Sequence, residues 1–230
     1  MPLPLDIVVP VYNEAENFDA FVDSLLAHVR TPHRVLVVYD FEEDTTLPVA
    51  RAAMARHPGI VLVRNPQRGI VGAMKTGLGA ATAEAIVTSM ADLSDDHPRI
   101  DEMFARFKAG ADLVAASRYS PGGRQLGGPL VKNLMSRAAG LSLHYLGGVA
   151  TKDATNNFKL YSKRLLDAVS IESKKGFEIA LELTVKAHRL GMRIEEVPAT
   201  WRDRTAGKSQ FQIVKWLPGY LHWYWMGLRR

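Results

Sequence analysis

The segment IVTSMADLSDDHPRI (residues 86–100) joins an apolar, β-branched run to three aspartates and then to a proline, a residue favoured in the first turn of a helix. The apolar run predicts a buried strand over residues 84–90. Carboxylates that directly follow a buried strand are costly unless a partner stabilises their charge. Asp92, Asp95 and Asp96 therefore mark the end of a strand and are also candidates for a functional site.

The same succession of strand and helix fills the first half of the chain. Strands are predicted at 6–12, 34–40, 59–65, 84–90 and 111–117, with helices near 15–29, 45–57, 70–83 and 98–109. Strands that are apolar on both faces and alternate with helices indicate a mostly parallel sheet covered on both sides. An α/β fold of this kind binds ligands beyond the carboxyl ends of its strands.

The second half of the chain is less regular. We predict a mobile loop at SPGGRQLGGP (120–129), then a helix near 130–147, a strand at 158–162, a helix near 176–190 and a strand at 193–201. The final segment is rich in aromatic residues, namely Trp216, Tyr220, Trp223, Tyr224 and Trp225, and ends in two arginines. Such rings favour the headgroup level of a membrane, whereas a core-closing helix or an oligomer contact explains the same residues.

Composition limits the class of protein. The 230 residues include 29 Lys and Arg against 24 Asp and Glu, and this formal charge of +5 suits phosphorylated ligands or an anionic membrane surface. The excess is too small to indicate nucleic acid. The chain has no cysteine, which excludes disulfides and agrees with a reducing cytosol. We find neither a secretory signal nor a run of about 18 uncharged apolar residues, so we expect a soluble or peripheral protein.

The aspartates that follow the 84–90 strand predict a site for a hard divalent cation. Mg²⁺ and Mn²⁺ prefer oxygen ligands, and Mg²⁺ commonly uses one or two carboxylates together with substrate phosphates and water. Asp92 would supply one ligand, with Ser94, Asp95 or Asp96 around the next turn. As an alternative, Asp95 or Asp96 caps the helix that begins near residue 98.

Two further segments predict nucleotide contacts. Asp40 ends a strand, where a carboxylate accepts hydrogen bonds from a base or ribose; the alternative is a solvated turn in which Asp44 caps the next helix. The segment QRGIVGAMKTGLGAA (67–81) has glycines that would let phosphates or a base approach the backbone, although close packing of helix on sheet explains them equally well.

Basic residues in the second half predict a phosphate cradle. Lys132 and Ser136 are four residues apart, so they share one face of the predicted helix. They would combine with Arg118, Arg124 and Arg137, since guanidinium groups grip phosphate in a bidentate manner. A solvated basic face is the alternative. The loop WRDRTAGKSQ (201–210) is either an ordinary basic loop or a second anion clamp.

The order of these segments resembles the family 2 glycosyltransferases of GT-A fold, and within them the dolichol-phosphate (polyprenyl-phosphate) mannose synthases. The similarity runs through IVVPVYNEAEN, VVYDFEEDTT, RGIVGAMKTGL and MADLSDDHP, then SRY, KNLMSR, NNFKLYSKRLL and EVPATWRDRTAGKS. It implies one GT-A domain over 1–230, with a Rossmann-like nucleotide-binding part (1–118), an acceptor-binding part (119–208) and an aromatic segment (209–230) for a membrane surface.

The resemblance also implies roles for individual residues. The nucleotide would contact Pro10, Tyr12, Glu14, Asp40 and Gly69. Asp92 would hold a metal bound to the donor diphosphate, and Arg118, Ser136 and Arg204 would grip the acceptor phosphate. Lys132 stands where these synthases carry arginine. An ammonium group would bind the phosphate as a point charge and not in the bidentate manner of a guanidinium group.

The sequence departs from the family pattern at its metal motif. Met90 replaces the first aspartate, and Ser94 stands where a glutamine ligand is common. A thioether is too soft for Mg²⁺. Either Asp95 or Asp96 substitutes for the missing carboxylate, or Asp92 and the donor hold the metal alone. Tyr39 and Phe41 also replace acids in the nucleotide motif, which leaves the base and sugar open.

The implied activity is transfer of a mannose- or glucose-type sugar, with inversion, from a GDP- or UDP-sugar to a polyprenyl or dolichyl phosphate at the cytosolic face of a membrane. Mg²⁺ or Mn²⁺ is the implied cofactor, and a membrane-protein partner or a homo-oligomer is a further expectation. Three alternatives stay open: transfer to a hydroxyl acceptor with a carboxylate base, a nucleotidyltransferase, and a non-catalytic sugar-nucleotide-binding protein.

Overall fold

The structure is a computed structural model that describes residues 3–203 and 213–229. Its strands are β1 (Leu5–Pro10), β2 (His33–Tyr39), β3 (Ile60–Arg64), β4 (Ala85–Thr88), β5 (Leu113–Ser117), β6 (Arg124–Leu126), β7 (Lys159–Ser162), β8 (Ile194–Pro198) and β9 (Thr200–Arg202). Its helices are α1 (Ala15–His28), α2 (Thr46–Ala53), α3 (Ile70–Ala80), α4 (Ile100–Lys108), α5 (Leu130–Tyr145), α6 (Lys163–Ala168), α7 (Glu178–Arg189) and α8 (Ile213–Leu228). A 3₁₀ turn, His97–Arg99, precedes α4.

Seven strands form the central sheet in the order β3-β2-β1-β4-β7-β5-β8. Every neighbouring pair is parallel except those that involve β7, which runs antiparallel to both β4 and β5. The predicted mostly parallel α/β sheet is therefore confirmed. The strand predicted at 158–162 exists, but it lies in the middle of the sheet with reversed direction.

Helices cover both faces of the sheet, as the uniformly apolar strands predict. One face buries Phe18, Phe21 and Leu47 from α1 and α2, together with Met103 from α4. The opposite face buries side chains of α3, α6 and α7, namely Met74, Leu78, Leu165, Ile179 and Leu183. Every residue of β1 is buried, because helices lie above and below it.

The aromatic segment near the carboxyl end forms α8, which packs on α5 and α7. Trp223 is 3% exposed within a third apolar cluster that includes Leu143 and Val185. A Cβ atom added at Gly176 would lie 2.3 Å from the Trp216 ring, so that ring fits closely against the backbone. The core-closing alternative is thus correct for Trp216 and Trp223, and the expected membrane contact is wrong for these two rings.

The segment predicted as a mobile loop at 120–129 contains β6, which pairs in parallel with β9. The strand predicted at 193–201 is divided into β8 and β9 at Ala199. β8 extends the main sheet, while β9 turns away to form the small sheet with β6. Among the described residues, no helix is long and apolar enough to cross a bilayer.

Candidate active site

The carboxyl ends of β1, β2, β4 and β5 open onto one cavity of about 1260 Å³. Its walls include most of the residues that the sequence indicates for binding: Pro10, Tyr12, Glu14, Asp40, Gly69, Asp92, Ser94, Asp95, Arg118, Lys132 and Ser136. Asp96 is not among the lining residues, and Arg204 lies outside the described residues. The sheet thus brings together side chains from both halves of the chain.

Asp40 joins the end of β2 to the start of α3. Its Oδ1 accepts a hydrogen bond from Asn65 Nδ2 at 2.6 Å, and its Oδ2 accepts the Gly69 amide at 2.7 Å. Gly69 has a φ of 98°, a conformation that side chains rarely adopt, which explains glycine at this point. A carboxylate accepts about four hydrogen bonds, so Asp40 retains capacity for a ligand.

An aromatic pair flanks Asp40 at this end of the cavity. The rings of Tyr12 and Phe41 meet edge to face, with centroids 5.5 Å apart. Tyr12 is 54% exposed, although it is a large ring beside a buried strand. An exposed ring of this kind gives a flat base a surface on which to stack. Phe41, which departs from the family motif, therefore contributes a ring in place of a charge.

The turn after β1 is fixed by the loop after β2. Asn13 has a φ of 55°, and its amide lies 3.2 Å from both carboxylate oxygens of Asp44. Asp44 Oδ1 also accepts the Thr46 amide at 2.8 Å, in the first turn of α2. Asp44 thus bonds the first amide of α2, although the residue directly before the helix is Thr45, which makes no side-chain cap. The Glu14 amide donates to Thr46 Oγ1 at 2.9 Å, which ties Glu14 to the same helix start.

An acidic corner follows β4. Asp92 is 6% exposed, and its Oδ1 accepts the Ser94 amide at 3.1 Å. The residue between them, Leu93, has a φ of 60°, which is strained for a branched side chain. Strained backbone of this kind persists where the surrounding structure holds it, commonly at binding sites.

Asp95 turns back toward the end of β4. Its Oδ2 accepts the Met90 amide at 2.9 Å and the Ser89 hydroxyl at 3.0 Å. Burial, together with the negative charge of Asp92, raises the pKa of Asp95 to about 7. A second carboxylate therefore lies beside Met90. The alternative in which Asp95 caps the following helix is not observed, because its side chain bonds backward along the chain.

Asp96 is used elsewhere. Its Oδ2 accepts the Thr200 amide at 2.9 Å and lies 3.6 Å from Arg99 Nε. It also makes no side-chain cap to the 3₁₀ turn that it precedes. Asp96 therefore links this turn to β9 and does not face the cavity, so we exclude it from the candidate metal ligands.

A cationic corner follows β5. Arg118 is buried and forms a bidentate ion pair with Asp153, with Nε to Oδ2 at 2.7 Å and Nη2 to Oδ1 at 2.8 Å. Burial alone would lower the pKa of Arg118, but the charge and hydrogen bonds of Asp153 outweigh burial and raise it. Nη1 makes no hydrogen bond to the described residues, so this nitrogen is the part of the guanidinium open to an anion.

A hydroxyl network connects Arg118 to α5. Arg118 Nη2 and the Tyr119 hydroxyl donate to Ser136 Oγ at 2.9 and 3.0 Å, and Thr155 Oγ1 lies 2.7 Å from the same oxygen. Lys132 lies one turn before Ser136 and also lines the cavity, as their spacing predicts. Arg124 and Arg137 do not line the cavity, so the phosphate cradle contains fewer cations than the sequence predicts.

The segment that supports this corner was not predicted from the sequence. Asp153 and Lys159 are fully buried, and Lys159 Nζ donates to the backbone oxygens of Ala154 and Asn156. Burial lowers the pKa of Lys159 to about 7. The only available signal was the polar run TKDATNN before the strand at 158–162, in which an acid precedes two amides.

Beyond the charged corners, the cavity wall becomes apolar. Between α5 and α8 it is lined mainly by Met135, Ala138, Ala139, Leu217 and Leu221. On the outer side of α5, Leu130, Val131 and Leu134 are all largely exposed. An exposed apolar face of this kind is typical of a lipid or protein contact.

The acidic corner also fits a divalent cation. Within residues 3–203 and 213–229 no group of three histidine, cysteine or acidic side chains is arranged to bind a metal. Two hard carboxylates that converge on a cavity nevertheless match the usual protein share of a magnesium site, in which ligand phosphates and water complete the shell. Asp92 and Asp95 are such a pair.

Comparison with known proteins agrees with this geometry. The chain is 28% identical over 227 residues to the polyprenol monophosphomannose synthase of Mycolicibacterium smegmatis, covering 91% of this chain and 85% of the relative. It is 30% identical over 209 residues to the undecaprenyl-phosphate mannosyltransferase of Micrococcus luteus, covering 88% and 85%.

A solved structure shares the fold. The glucosyl-3-phosphoglycerate synthase of Mycobacterium tuberculosis, in complex with Mn²⁺, UDP-glucose and phosphoglyceric acid, superposes with a TM-score of 0.72 and 18% identity, covering 99% of this chain and 81% of that one. The model of the family described as glycosyl transferase family 2 matches residues 6–170. Since this match spans more than half of the sequence, the chain belongs to glycosyl transferase family 2.

Proposed function

We propose that this glycosyltransferase moves a hexose from a nucleotide sugar to a polyprenyl phosphate, with inversion at the anomeric carbon. The observation that carries the proposal is the continuity of the cavity: an acidic corner, a cationic corner and an apolar wall follow one another. The cationic corner suits a phosphate and the apolar wall suits a hydrocarbon chain, so a phosphate attached to a hydrocarbon chain matches both. The names of the two mannosyl-transferring relatives agree with this acceptor class.

The donor would occupy the part formed by residues 1–118. Its base would stack near Tyr12 and accept or donate hydrogen bonds at Asp40, while Pro10, Glu14 and Gly69 shape the surrounding wall. Both GDP- and UDP-sugars remain candidates for this pocket, as do mannose and glucose. The UDP-glucose complex of the structural neighbour supports the general placement of a nucleotide sugar in this fold.

Asp92 and Asp95 would hold Mg²⁺ or Mn²⁺, with Ser94 at the edge of the same turn. When bound, the cation supplies positive charge that stabilises the leaving diphosphate. Because the two carboxylates repel each other when both are ionised, a cation between them removes an existing electrostatic penalty. Met90 takes no part in binding, since a thioether is a poor ligand for these metals.

The acceptor phosphate would lie among Arg118 Nη1, Lys132 and the Ser136 hydroxyl, in the part formed by residues 119–208. A phosphate monoester has a second pKa near 6, so it arrives largely ionised and needs no strong general base. The ion pair with Asp153 holds Arg118 in place before the acceptor binds, which reduces the reorganisation required. Arg204 stays a predicted fourth contact.

Membrane association would bring the protein to its lipid. Leu130, Val131 and Leu134 on α5, with Leu221 and Trp225 on α8, expose apolar side chains near the apolar cavity wall. Together with the net charge of +5, this surface suits an anionic leaflet. We propose peripheral attachment at the cytosolic face, with a membrane-protein partner or a second copy of the chain as an alternative occupant of that surface.

A hydroxyl acceptor is a second candidate, favoured by one observation. Asp95, whose pKa is raised to about 7, has the value that suits a general base. A hydroxyl must lose its proton as it attacks, and a carboxylate poised near neutrality would accept it. On this alternative Asp95 would contact the acceptor and Asp92 would hold the metal alone. Non-catalytic binding of a nucleotide sugar is the third reading and predicts no turnover.

The test measures transfer of radiolabelled sugar from GDP-mannose, UDP-glucose and related donors to polyprenyl phosphate in detergent. Phosphorylated compounds that offer a free hydroxyl group as the acceptor are assayed in parallel. We expect a lipid-linked product that disappears with chelator and in Asp92→Ala. Lys132→Gln should raise KM for polyprenyl phosphate, and Lys132→Arg should preserve it. Asp96→Asn is the matched control and should retain activity.

A product on hydroxyl acceptors alone would replace the first proposal with the second. Donor binding with no product on any acceptor would support the binding protein. Turnover that Asp92→Ala leaves unchanged would contradict both transfer mechanisms.

A further inference from the structure

A second, smaller cavity of about 240 Å³ lies at the start of α3. One wall is the segment Gln67–Gly72 with Lys75, and the facing wall is the short segment 173–175 that leads to α7. From these residues we infer a separate binding site for a phosphate group. This site goes beyond the proposed transfer reaction, which uses the larger cavity.

Four cations surround this space: Arg68, Lys75, Lys174 and Lys175. None of the four forms an ion pair with another described side chain. Positive charges gathered around one small space repel one another. An anion bound between them would remove that repulsion and would accept several charge-assisted hydrogen bonds.

The helix start adds donors of its own. α3 begins after Gly69, and no side chain caps its first turn. The amide groups of the first turn of a helix lack internal partners and carry a partial positive charge, which favours phosphate. This feature by itself would not define a site, because every helix has it.

Ser173 supplies the independent observation. This side chain is 4% exposed and lines the cavity, yet its hydroxyl has no hydrogen-bond partner among the described residues. Leaving a buried hydroxyl without a hydrogen-bond partner is unfavourable. The backbone around it is well held, since the amides of Ser173 and Lys175 donate to Glu182 and Glu178 of α7 at 2.8 and 3.0 Å. The backbone that carries the hydroxyl is therefore held in place, and the unpartnered hydroxyl oxygen itself lies almost wholly enclosed beside the cavity.

Two acids behind this segment share one lysine. Glu182 is paired with Lys186 at 2.7 Å, and Lys186 also binds Glu172 at 2.7 Å. Glu178 Oε1 accepts the backbone amide of Lys175 at 3.0 Å, and Glu172 interacts electrostatically with Lys174. Arg68 and Lys75 are therefore the stronger determinants, and Lys174 adds a further positive charge.

The two cavities share a wall. Arg68, Gly69, Ile70 and Lys175 line both of them. A phosphate at the smaller site would therefore fix residues that also border the donor pocket. Linkage requires that the donor and the phosphate change each other's affinity by the same factor. Inorganic phosphate, a phosphate monoester and the phosphate of an anionic lipid headgroup share the chemistry that this site recognises.

The test is calorimetric titration of the full chain with inorganic phosphate at constant ionic strength. Lys75→Gln/Lys174→Gln removes two cations that do not line the donor cavity, and Arg30→Gln/Lys108→Gln removes two exposed cations elsewhere as the matched control. We expect the first pair to weaken phosphate binding roughly tenfold or more, because each lost contact is charged. The control pair should bind phosphate as the wild type does. Ser173→Ala should also weaken binding, with Ser170→Ala as its control.

Phosphate also suits the proposed acceptor cradle, so the titration is repeated with Lys132→Gln. If phosphate binding disappears in Lys132→Gln and persists in the Lys75/Lys174 variant, the inference is overturned. Vesicles of phosphatidylcholine with and without phosphatidylglycerol separate the two sources of phosphate. Binding that requires phosphatidylglycerol and weakens in the Lys75/Lys174 variant, without affinity for soluble phosphate, would assign the site to a lipid headgroup.

Failure to detect either kind of binding would overturn the site. Sugar transfer measured without phosphate should be retained in the Lys75/Lys174 variant. The second site and the proposed reaction are therefore tested by different measurements, and either can fail alone.

Discussion

The carboxylate of Asp95 accepts a hydrogen bond of 2.9 Å from the backbone amide of Met90. A side chain five positions later in the sequence thus reaches Met90, the position at which the family resemblance implies an aspartate. Asp95 is therefore the carboxylate placed to substitute for the one that the resemblance implies at Met90, and this substitution is a prediction.

This contact predicts the result of exchanging the two carboxylates. Asp95→Asn should weaken Mn²⁺ binding in the presence of a nucleoside diphosphate by at least about tenfold, a scale seen when even an outer partner of a metal ligand is lost. Met90→Asp in the Asp95→Asn background should restore much of that affinity. Electron paramagnetic resonance of free Mn²⁺ measures both changes.

Asp96→Asn serves as the control for that exchange, because Asp96 bonds the Thr200 amide and does not line the cavity. Its Mn²⁺ affinity should equal that of the wild type. Equal affinities for Asp95→Asn and the wild type would show that Asp92 and the diphosphate hold the metal without help.

The Arg118–Asp153 ion pair predicts a large loss of stability. Asp153→Asn would leave a buried guanidinium without its counter-charge, and breaking a buried pair in this way costs about 3–5 kcal/mol. The exposed pair Arg56–Asp19 is the control, for which Asp19→Asn should cost about 1 kcal/mol or less. Urea denaturation gives both free energies of unfolding. A similar cost for the two variants would mean that Arg118 is hydrated.

Two tryptophans of α8 should behave in opposite ways. Trp223→Ala removes a core ring and should lower the free energy of unfolding by about 3–5 kcal/mol. Trp225 is 57% exposed, so Trp225→Ala should change stability by about 0.5 kcal/mol or less while it weakens flotation with anionic vesicles. Unchanged flotation in Trp225→Ala combined with Leu134→Ala would remove this surface from the membrane proposal.

A histidine pair on the far side of the sheet predicts acid sensitivity. His57 Nε2 lies 2.9 Å from His33 Nε2, and the Gly59 amide donates to His57 Nδ1, so neutral His57 donates its Nε2 proton to His33. Burial, and then the charge of His33, lowers the pKa of His57 below its usual 6.5. As the pH falls below about 6.5, the unfolded chain binds a proton that the folded chain refuses, and stability declines.

The variant His57→Gln should flatten this decline, as measured by urea denaturation between neutral and acidic pH. Some loss of the free energy of unfolding with falling pH should persist in this variant, because burial lowers the pKa of His97 to about 4. If His57→Gln and the wild type lose stability in parallel, the pair does not titrate in this range.

The parallel strands of the sheet, and most of the residues that line the proposed donor pocket, could be predicted from the sequence because both depend on local patterns. Apolar runs mark the strands, and the residues that follow them meet at one edge whatever the strand order. The reversed direction of β7 was not predictable, because the pairing of Lys159 with Thr88 joins residues that lie far apart in the sequence. The six-residue helix α6 was missed because it is too short to show a helical period.

Contacts between distant residues explain the other omissions. Asp153 supports Arg118 from 35 positions away, and nothing in its own neighbourhood marks it as a partner. Trp223 and Trp225 stand two residues apart in an apolar helix, so their neighbours in sequence do not distinguish a core ring from an exposed one. Packing of α8 on α7 makes that distinction. Sites proposed from strand ends, such as Asp40 and Asp92, required no such knowledge.

The reversed strand β7 acts as a spacer between the two charged corners. Asp92 follows β4 and Arg118 follows β5, and β7 is the single strand between them. Adjacent strands lie about 4.8 Å apart, so the two corners begin about 10 Å from each other. Backbone hydrogen bonds set this interval, and no side-chain substitution can reset it. A new sugar specificity in this fold would therefore have to come from changes in the cavity walls, because the distance between the two charged corners is set by the sheet.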